Sequence, residues 1–276
     1  MRKNVFILAV ALIMLAACRS EETVNCEQKK NVTFSVKGDF EIGKLYPFTR
    51  ALTSEGKEMT DLWIIDADEE GNILQAIHQV NTESAFGAPS LSMKYGDHKL
   101  YFCASRGTEP TLNGWMVRWV KVLDTFWASQ TLTVDEETAA SQSVELERVA
   151  TRLKVTVEDE VPSGVTSFEI GMKQVKEIDL RTGVGTLEDG KVAFPMTLED
   201  EGNTGIEYGV FSLCPSREEW KSVVTLKYNT KETKTVTDVP FKMNRETRIK
   251  GFMNSKEERF SITLKTDWET GIDYQF

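Results

Sequence analysis

Apolar and polar residues alternate with a period of two along most of the chain, the spacing that puts every second side chain on one face of a strand. "NVTFSV" (31–36) sets Val32, Phe34 and Val36 against Asn31, Thr33 and Ser35. Residues 61–77, "DLWIIDADEEGNILQAI", hold two apolar runs joined by an acidic, glycine-bearing turn, the pattern of a hairpin. "YGDHKLYFCAS" (95–105) predicts a turn at Gly96-Asp97 followed by a strand. Beyond residue 148 the alternation is steady. It sets out Leu153, Val155 and Val157, then Phe168, Ile170 and Met172, then Val192, Phe194, Met196 and Leu198. Val224, Leu226 and Tyr228 follow, and Phe260, Ile262 and Leu264 close the series. Pro195 interrupts one run and marks an edge strand or a bulge, because proline cannot donate to the ladder. Turn signals at 162–164, 188–190 and 201–203 separate the runs. Short strands at this spacing predict an all-β chain of β-sandwiches.

The alternation breaks once. In "WMVRWVKVLDTFW" (115–127), Trp115, Trp119 and Leu123 recur every four residues beside Met116 and Val120, which predicts a short amphipathic helix or a compact aromatic loop. The acidic stretch 133–150 follows, and the domain boundary is placed near its end. The expected units are an N-terminal sandwich over 18–148 and a C-terminal sandwich over 149–276, each of ordinary domain size.

The N-terminus has a different character. Arg2 and Lys3 precede an apolar run from Val5 to Ala17, too short to span a bilayer, which needs about twenty residues. This is the layout of a signal peptide over 1–17, set aside from the fold. "LAAC" (15–18) resembles the lipobox of bacterial lipoproteins, which implies a lipidated Cys18 and a membrane anchor made by acyl chains. Ser20-Glu21-Glu22 resembles the acidic signal that sends some lipoproteins to the outer face of the outer membrane.

Composition narrows the remaining choices. The 276 residues are 40% hydrophobic and 28% charged, the balance of a folded protein. The formal net charge is −10, and losing 1–17 would remove two basic residues and no acidic one. Nucleic acid is therefore excluded as a partner, since phosphate neutralisation needs a basic patch. Cys26, Cys103 and Cys214 show no Cys-x-x-Cys spacing and allow one disulfide at most. Cys103 and Cys214 sit in apolar runs and read as buried free thiols. The two histidines, His78 and His98, read as exposed strand residues, and no nucleophile–base motif appears, so no enzymatic activity is expected. Gly183 and Gly185 lack the spacing of a dinucleotide loop and read as a hairpin turn. Asp66, Asp68, Glu70 and Gly71 mimic the start of a calcium loop, but its twelfth position is Ile77, so no metal is expected and the segment reads as a turn. Trp115, Trp119, Phe126 and Trp127 form the one cluster able to stack on a ligand such as a glycan; the competing reading buries them against a sandwich.

Taken in order, these segments resemble the fimbrillins, subunits of the type V pili of Gram-negative anaerobes. "DLWIIDADEEGNIL" is similar to their "vFDadGnl" hairpin and "YGDHKLYFCAS" to their "pyGtYtlyfvA" strand. "SVELERVATRLKVTV" is similar to their domain junction and "FKMNRETRIKGF" to their late "N-x-x-T-x-i-x-G" strand. The resemblance implies two transthyretin-like β-sandwiches in tandem, no cofactor, and a lipid-anchored place on the outer membrane within a fimbrium. It implies other fimbrial subunits as partners through donor-strand exchange, and adhesion to a host or bacterial surface ligand. In shaft subunits an arginine-specific protease removes the first strand. "FTRALTSE" matches that cut, which would fall between Arg50 and Ala51 and free the first strand, 31–36, on a segment ending at 50. The sequence departs from a shaft subunit at its end. After Leu264 only "KTDWETGIDYQF" remains, with little alternation, so the chain reads as an anchor, accessory or tip protein, or as one whose donor is 258–266 itself. The second reading is a glycan-binding surface lipoprotein that uses Trp115, Trp119 and Trp127.

Replacing the lipobox thiol, Cys18→Ala, is expected to abolish acylation and leave the precursor unprocessed or soluble. Metabolic labelling with a clickable fatty acid and fractionation check this. A labelled, membrane-bound mutant would refute the lipobox.

Overall fold

A computed structural model describes residues 28–41, 44–47, 59–254 and 260–265. Cys18, Cys26, Arg50 and Ala51 lie outside the described residues. The first sandwich is built from β1 (Lys29–Glu41), β2 (Lys44–Pro47), β3 (Asp61–Ala67), β4 (Ile73–Val80), β5 (Ser90–Lys94), β6 (Gly96–Ser105), β7 (Thr111–Asn113), β8 (Met116–Arg118), β9 (Thr125–Val134) and β10 (Ser141–Arg148). The second comprises β11 (Ala150–Val157), β12 (Ser167–Gln174), β13 (Glu177–Asp179), β14 (Val184–Gly185), β15 (Glu188–Pro195), β16 (Ile206–Leu213), β17 (Trp220–Tyr228), β18 (Lys234–Phe241), β19 (Glu246–Gly251) and β20 (Phe260–Lys265).

The two sandwiches share one strand arrangement. In the first, β4-β3-β6-β9 form one layer, and β1 lies between β10 and β5 in the other. In the second, β15-β12-β17-β18 form one layer and β16-β11-β19 the other, extended by β20. In each, the opening strand runs parallel to a late strand, β1 to β10 and β11 to β19, whereas its other neighbour, β5 or β16, is antiparallel. Period-two alternation puts the expected residues inside. Val32, Phe34, Leu62, Ile64, Leu100 and Phe102 are among the residues that fill the first core. Leu153, Val155, Phe168, Ile170, Leu226 and Tyr228 belong to the second.

Five expectations change. The turns read at 96–97 and 188–190 are strand residues, because distant partners complete their ladders: Gly96 and Asp97 pair with Val134 and Thr133, and Glu188, Asp189 and Gly190 pair with Gln174, Lys173 and Met172. The 115–127 segment is not a helix: Met116–Arg118 is the strand β8, and β9 begins at Thr125. Its every-fourth spacing reflects contacts made by a loop and short strands. The run from Val192 stops at Pro195, the last residue of the edge strand β15, and Leu198 is 87% exposed in a single 3-10 turn. There the Thr197 N–H donates to Asp200 Oδ2 at 2.7 Å, a local bond that competes with the ladder. His98 is buried rather than exposed, with Nδ1 2.6 Å from Asp66 Oδ1 and Nε2 2.9 Å from the Lys94 carbonyl. A buried carboxylate needs partners, and Gln75 Nε2 supplies another to Asp66 at 2.8 Å.

A small sheet joins the sandwiches. Its order is β14-β13-β8-β7, so strands of the 106–124 insertion pair with strands between β12 and β15. Arg118, Val117 and Met116 pair with Glu177, Ile178 and Asp179. The ladder continues at both ends, where the Trp119 N–H donates to the Lys176 carbonyl at 3.0 Å and the Leu180 N–H to the Trp115 carbonyl at 2.8 Å. Beneath it lies a third apolar core with contributions from both sandwiches, including Ile65, Cys103, Trp119, Trp127, Ile178 and Leu213.

Trp119→Ala is expected to cost about 3–5 kcal/mol, the usual range for deleting a buried aromatic side chain. Because Trp119 belongs to the shared core, calorimetry should then show the two sandwiches unfolding in separate transitions. A single unshifted transition would show that this core does not couple them.

Candidate functional site: the first-strand seat and the interdomain aromatic core

β1 is held on both sides from Thr33 to Gly38, with β2 taking over the β5 side from Lys37. Thr33 to Gly38 pair with Ser141 to Leu146 of β10, and Lys29 to Thr33 pair with Lys94 to Ser90 of β5. Past Thr33 the β5 side is continued by the loop before it. The Phe34 N–H donates to the Pro89 carbonyl at 2.8 Å and the Val36 N–H to the Gly87 carbonyl at 3.0 Å. On the opposite side the Thr33 N–H donates to the Ala140 carbonyl at 2.9 Å. Val32 and Phe34 are 0% exposed and Val36 is 1% exposed. At about 1.5–3 kcal/mol per buried side chain, these three dominate the strand's hold. Phe34 also meets Phe102 of the facing layer, with ring centroids 5.5 Å apart. Without β1, a slot would open between β10 and β5, walled by two strands with unpaired backbone groups and floored by Phe102.

β5 was not singled out from the sequence. Its signal is Leu91 and Met93 alternating with Ser90, Ser92 and Lys94, and both apolar residues are buried. The run is only five residues long, too short to stand out beside its neighbours.

β20 has the same chemistry as β1. "VTFSVK" (32–37) and "FSITLK" (260–265) each alternate three apolar residues with two hydroxyl residues and end in lysine. Their surroundings differ. β20 pairs only with β19, from Glu246↔Lys265 to Gly251↔Phe260, and ends its sheet. Ile262 is 37% exposed, and Phe260 is only partly buried against the second core.

The aromatic cluster lies in the interdomain core. Trp119 is 1% exposed and its Nε1 donates to Ser105 Oγ at 2.7 Å. Trp127 is 7% exposed and its Nε1 donates to the Leu180 carbonyl at 2.7 Å. Phe126 faces the first core and is fully buried. Trp115 is half-buried, edge-on to Tyr101 at 5.2 Å, with the Arg181 guanidinium over its ring at 5.6 Å. A second guanidinium, of Arg217, lies 5.3 Å from the Trp127 ring. Glycines make room for the rings. A Cβ at Gly107 would stand 2.3 Å from Trp119 Cδ1, and one at Gly183, where φ is +71°, 2.6 Å from Trp127 Cδ2. A stacking platform needs open ring faces; Trp119 and Trp127 have given theirs to protein, and half-buried Trp115 stands without them. The sequence could not show this, because the covering residues lie far along the chain.

The charged residues nearby are committed to structure. Arg148 meets Asp124 through Nε at 2.7 Å and Nη2 at 3.1 Å, and reaches Asn244 Oδ1 through Nη1 at 3.1 Å, fastening the end of β10 to the second sandwich. The Arg181 guanidinium hydrogen-bonds Asp179 and holds that carboxyl below the usual carboxylate range. In the 66–72 turn, Asp68 accepts from the Asn72 N–H at 2.7 Å and from Asn72 Nδ2 at 2.8 Å, the chemistry of a turn. Cys103 and Cys214 are free and buried, and burial pushes both thiols well up, so neither serves as a thiolate nucleophile.

Phe34→Ala is expected to cost about 3–5 kcal/mol and to loosen β1 ahead of global unfolding. Hydrogen exchange should show the Thr33, Phe34 and Val36 amides losing protection first. Uniform exchange across the sandwich would show that β1 is not a separable element.

No family model and no curated protein matches the sequence. Solved structures match its fold. A candidate adhesin from Bacteroides thetaiotaomicron aligns over 90% of this chain and 100% of its own, with a TM-score of 0.57 at 13% identity. A candidate polysaccharide-binding protein from the same species aligns over 81% of this chain and 92% of its own, with a TM-score of 0.54 at 9% identity. The fimbrial anchor protein Mfa2 from Porphyromonas gingivalis aligns over 87% of this chain and 98% of its own, with a TM-score of 0.51 at 10% identity. At such identities the likeness is one of fold, and the chain shares the fold of these proteins.

Proposed function

We propose that this chain is a fimbrial subunit of the anchor, accessory or tip kind, brought to the outer membrane by a lipid on Cys18, that serves in adhesion and, once cut at Arg50, joins its neighbours by strand exchange at the β1 seat. The role is structural and not catalytic. The observation that carries the reading is the seating of β1. It is an inner strand whose place could be taken by another alternating strand, and β20 is a strand of that kind held at an open edge. Strand addition of this type draws affinity from backbone hydrogen bonds and selectivity from alternate side-chain pockets. The fold likeness to Mfa2 supports the same role.

Arg50 and Ala51 fall in the chain between the end of β2 and the start of β3. A cut there leaves Cys18 and β1 on one fragment and everything from Ala51 onward on the other. Displacing β1 after the cut would then release the rest of the chain from its lipid. A subunit left uncut stays tethered. Processing at Arg50 therefore separates a mobile subunit from an anchor.

Trace trypsin on the folded protein is expected to cut first after Arg50, because residues inside strands are shielded until they unfold. The cut protein should then take up a synthetic peptide with the sequence of residues 260–265 in place of β1, read by native mass spectrometry. Resistance at Arg50 would assign the chain as an uncut anchor. Clean cutting with neither peptide uptake nor polymer would remove strand exchange from the reading.

A further inference from the structure

The strand in the β1 seat meets charge at one end. Lys30 stands two residues before Val32 and pairs across the ladder with the buried Met93 of β5. Side chains of a strand alternate with a period of two, so Lys30 opens the inward row that continues as Val32, Phe34 and Val36. Its place is the end of the first sandwich, where the 135–140 link joins β9 to β10. There β1 has β5 on one side and this link on the other, met first through the Thr33 N–H and the Ala140 carbonyl.

Lys30 is half-buried, and its Nζ donates to the Asp135 carbonyl at 3.2 Å and to the Glu136 carbonyl at 2.5 Å. The turn that carries these carbonyls is itself fixed. Asp135 Oδ1 accepts from the Glu137 N–H at 2.9 Å, from the Thr138 N–H at 2.8 Å and from Thr138 Oγ1 at 2.8 Å. The bonds from Thr138 are the main cause that holds the Asp135 carboxyl below the usual carboxylate range, and the charge of Lys30 is a lesser one. The turn thus offers set carbonyl acceptors amid the charges of Asp135, Glu136 and Glu137. The demand for a cation is local to one position. Lys29, one step back, faces Lys94 across the ladder, a like-charge pair.

β20 does not meet this demand. When "FSITLK" is laid on "VTFSVK", Phe260 takes the place of Val32, and Glu258 takes that of Lys30. Laid in the opposite direction, with Leu264 at the place of Val32, the strand brings Thr266 there. A slip of two residues would bring Lys256, but it sets Glu258 at the buried place of Val32, where an unpaired carboxylate is costly.

We propose that the β1 seat selects a strand whose inward row opens with a lysine or arginine two residues before its first buried side chain, and that this strand comes from a different subunit and not from a second copy of this chain. The selection rests on the strand-exchange reading above. Ladder and apolar row supply the affinity, and the cation sorts among strands that are equal in both.

Two experiments test it. In the intact chain, Lys30→Arg should keep the protection of the Thr33, Phe34 and Val36 amides against hydrogen exchange. Lys30→Glu should lower that protection about fivefold, the upper range for a partly exposed ionic contact, and Lys30→Gln should fall between. In protein cut after Arg50, with the protease then inhibited, native mass spectrometry follows competition between two peptides. One has the sequence of residues 258–265 and the other differs from it by Glu258→Lys. The lysine peptide should take the seat in about fivefold excess at low salt and lose that advantage as salt rises, because exposed charges are screened. Equal uptake of the two peptides overturns the selection and leaves strand exchange standing, and so does a Lys30→Glu chain as well protected as the parent. Uptake of neither peptide overturns strand exchange itself, and the selection with it. If the chain resists cutting, hydrogen exchange decides alone.

Discussion

The architecture depends on one constraint: the β4-β3-β6-β9 layer of the first sandwich is apolar on both faces. Its inner face carries Leu62, Ile64, Leu100 and Phe102, and its outer face carries Ile65, Cys103 and Trp127. A sheet of this kind must be covered twice. The inner cover is the β1 layer. The outer cover is the 106–124 insertion together with the segment between β12 and β15, and their pairing makes the small interdomain sheet. Once Trp119 and Trp127 are buried there, the two sandwiches share a core, and separating them would expose aromatic surface.

This arrangement separates the β1 seat from the interdomain core. The interdomain core lies behind one layer of the first sandwich, and β1 lies in the other. A strand could leave the β1 seat without opening the core that holds the sandwiches together. The second sandwich has no equivalent freedom. β11 follows β10 with only Val149 between them, and Arg152 on β11 forms a fully buried ion pair with Glu246 on β19, to which Arg248 adds a contact at 2.6 Å. Buried charges of this kind cost much to strip apart, because each partner left alone is an uncompensated charge. The opening strand of the second sandwich is thus fixed, and that of the first is held by side-chain burial and backbone bonds.

The open edges carry the same contrast. β15 carries Asp189 and Lys191 and ends at Pro195, and β18 contains Asp238 and Pro240, the residue types that discourage strand pairing. β20 presents hydroxyl residues and a half-exposed apolar row, ending in a single lysine. An edge so lightly guarded suits a strand that pairs elsewhere.

The sequence by itself determined the all-β character, most of the long strands, the buried thiols and the 66–72 turn, because each follows from rules that act within a few residues. A period of two places Phe34 and Leu226 inside whatever they pair with, and Asp68 caps its own turn. The same local rules misread several places, two of them instructive. The tryptophans from 115 to 127 imitate a helical stripe, because two- and three-residue strands are too short to show a period. His98 looked exposed because the carboxylate that buries it, Asp66, lies on a neighbouring strand. Tertiary structure alone decided the interdomain sheet, the covered faces of Trp119 and Trp127 and the seat around β1. Each is made by segments tens of residues apart, and local periodicity states which residues want burial without stating which distant surface will bury them.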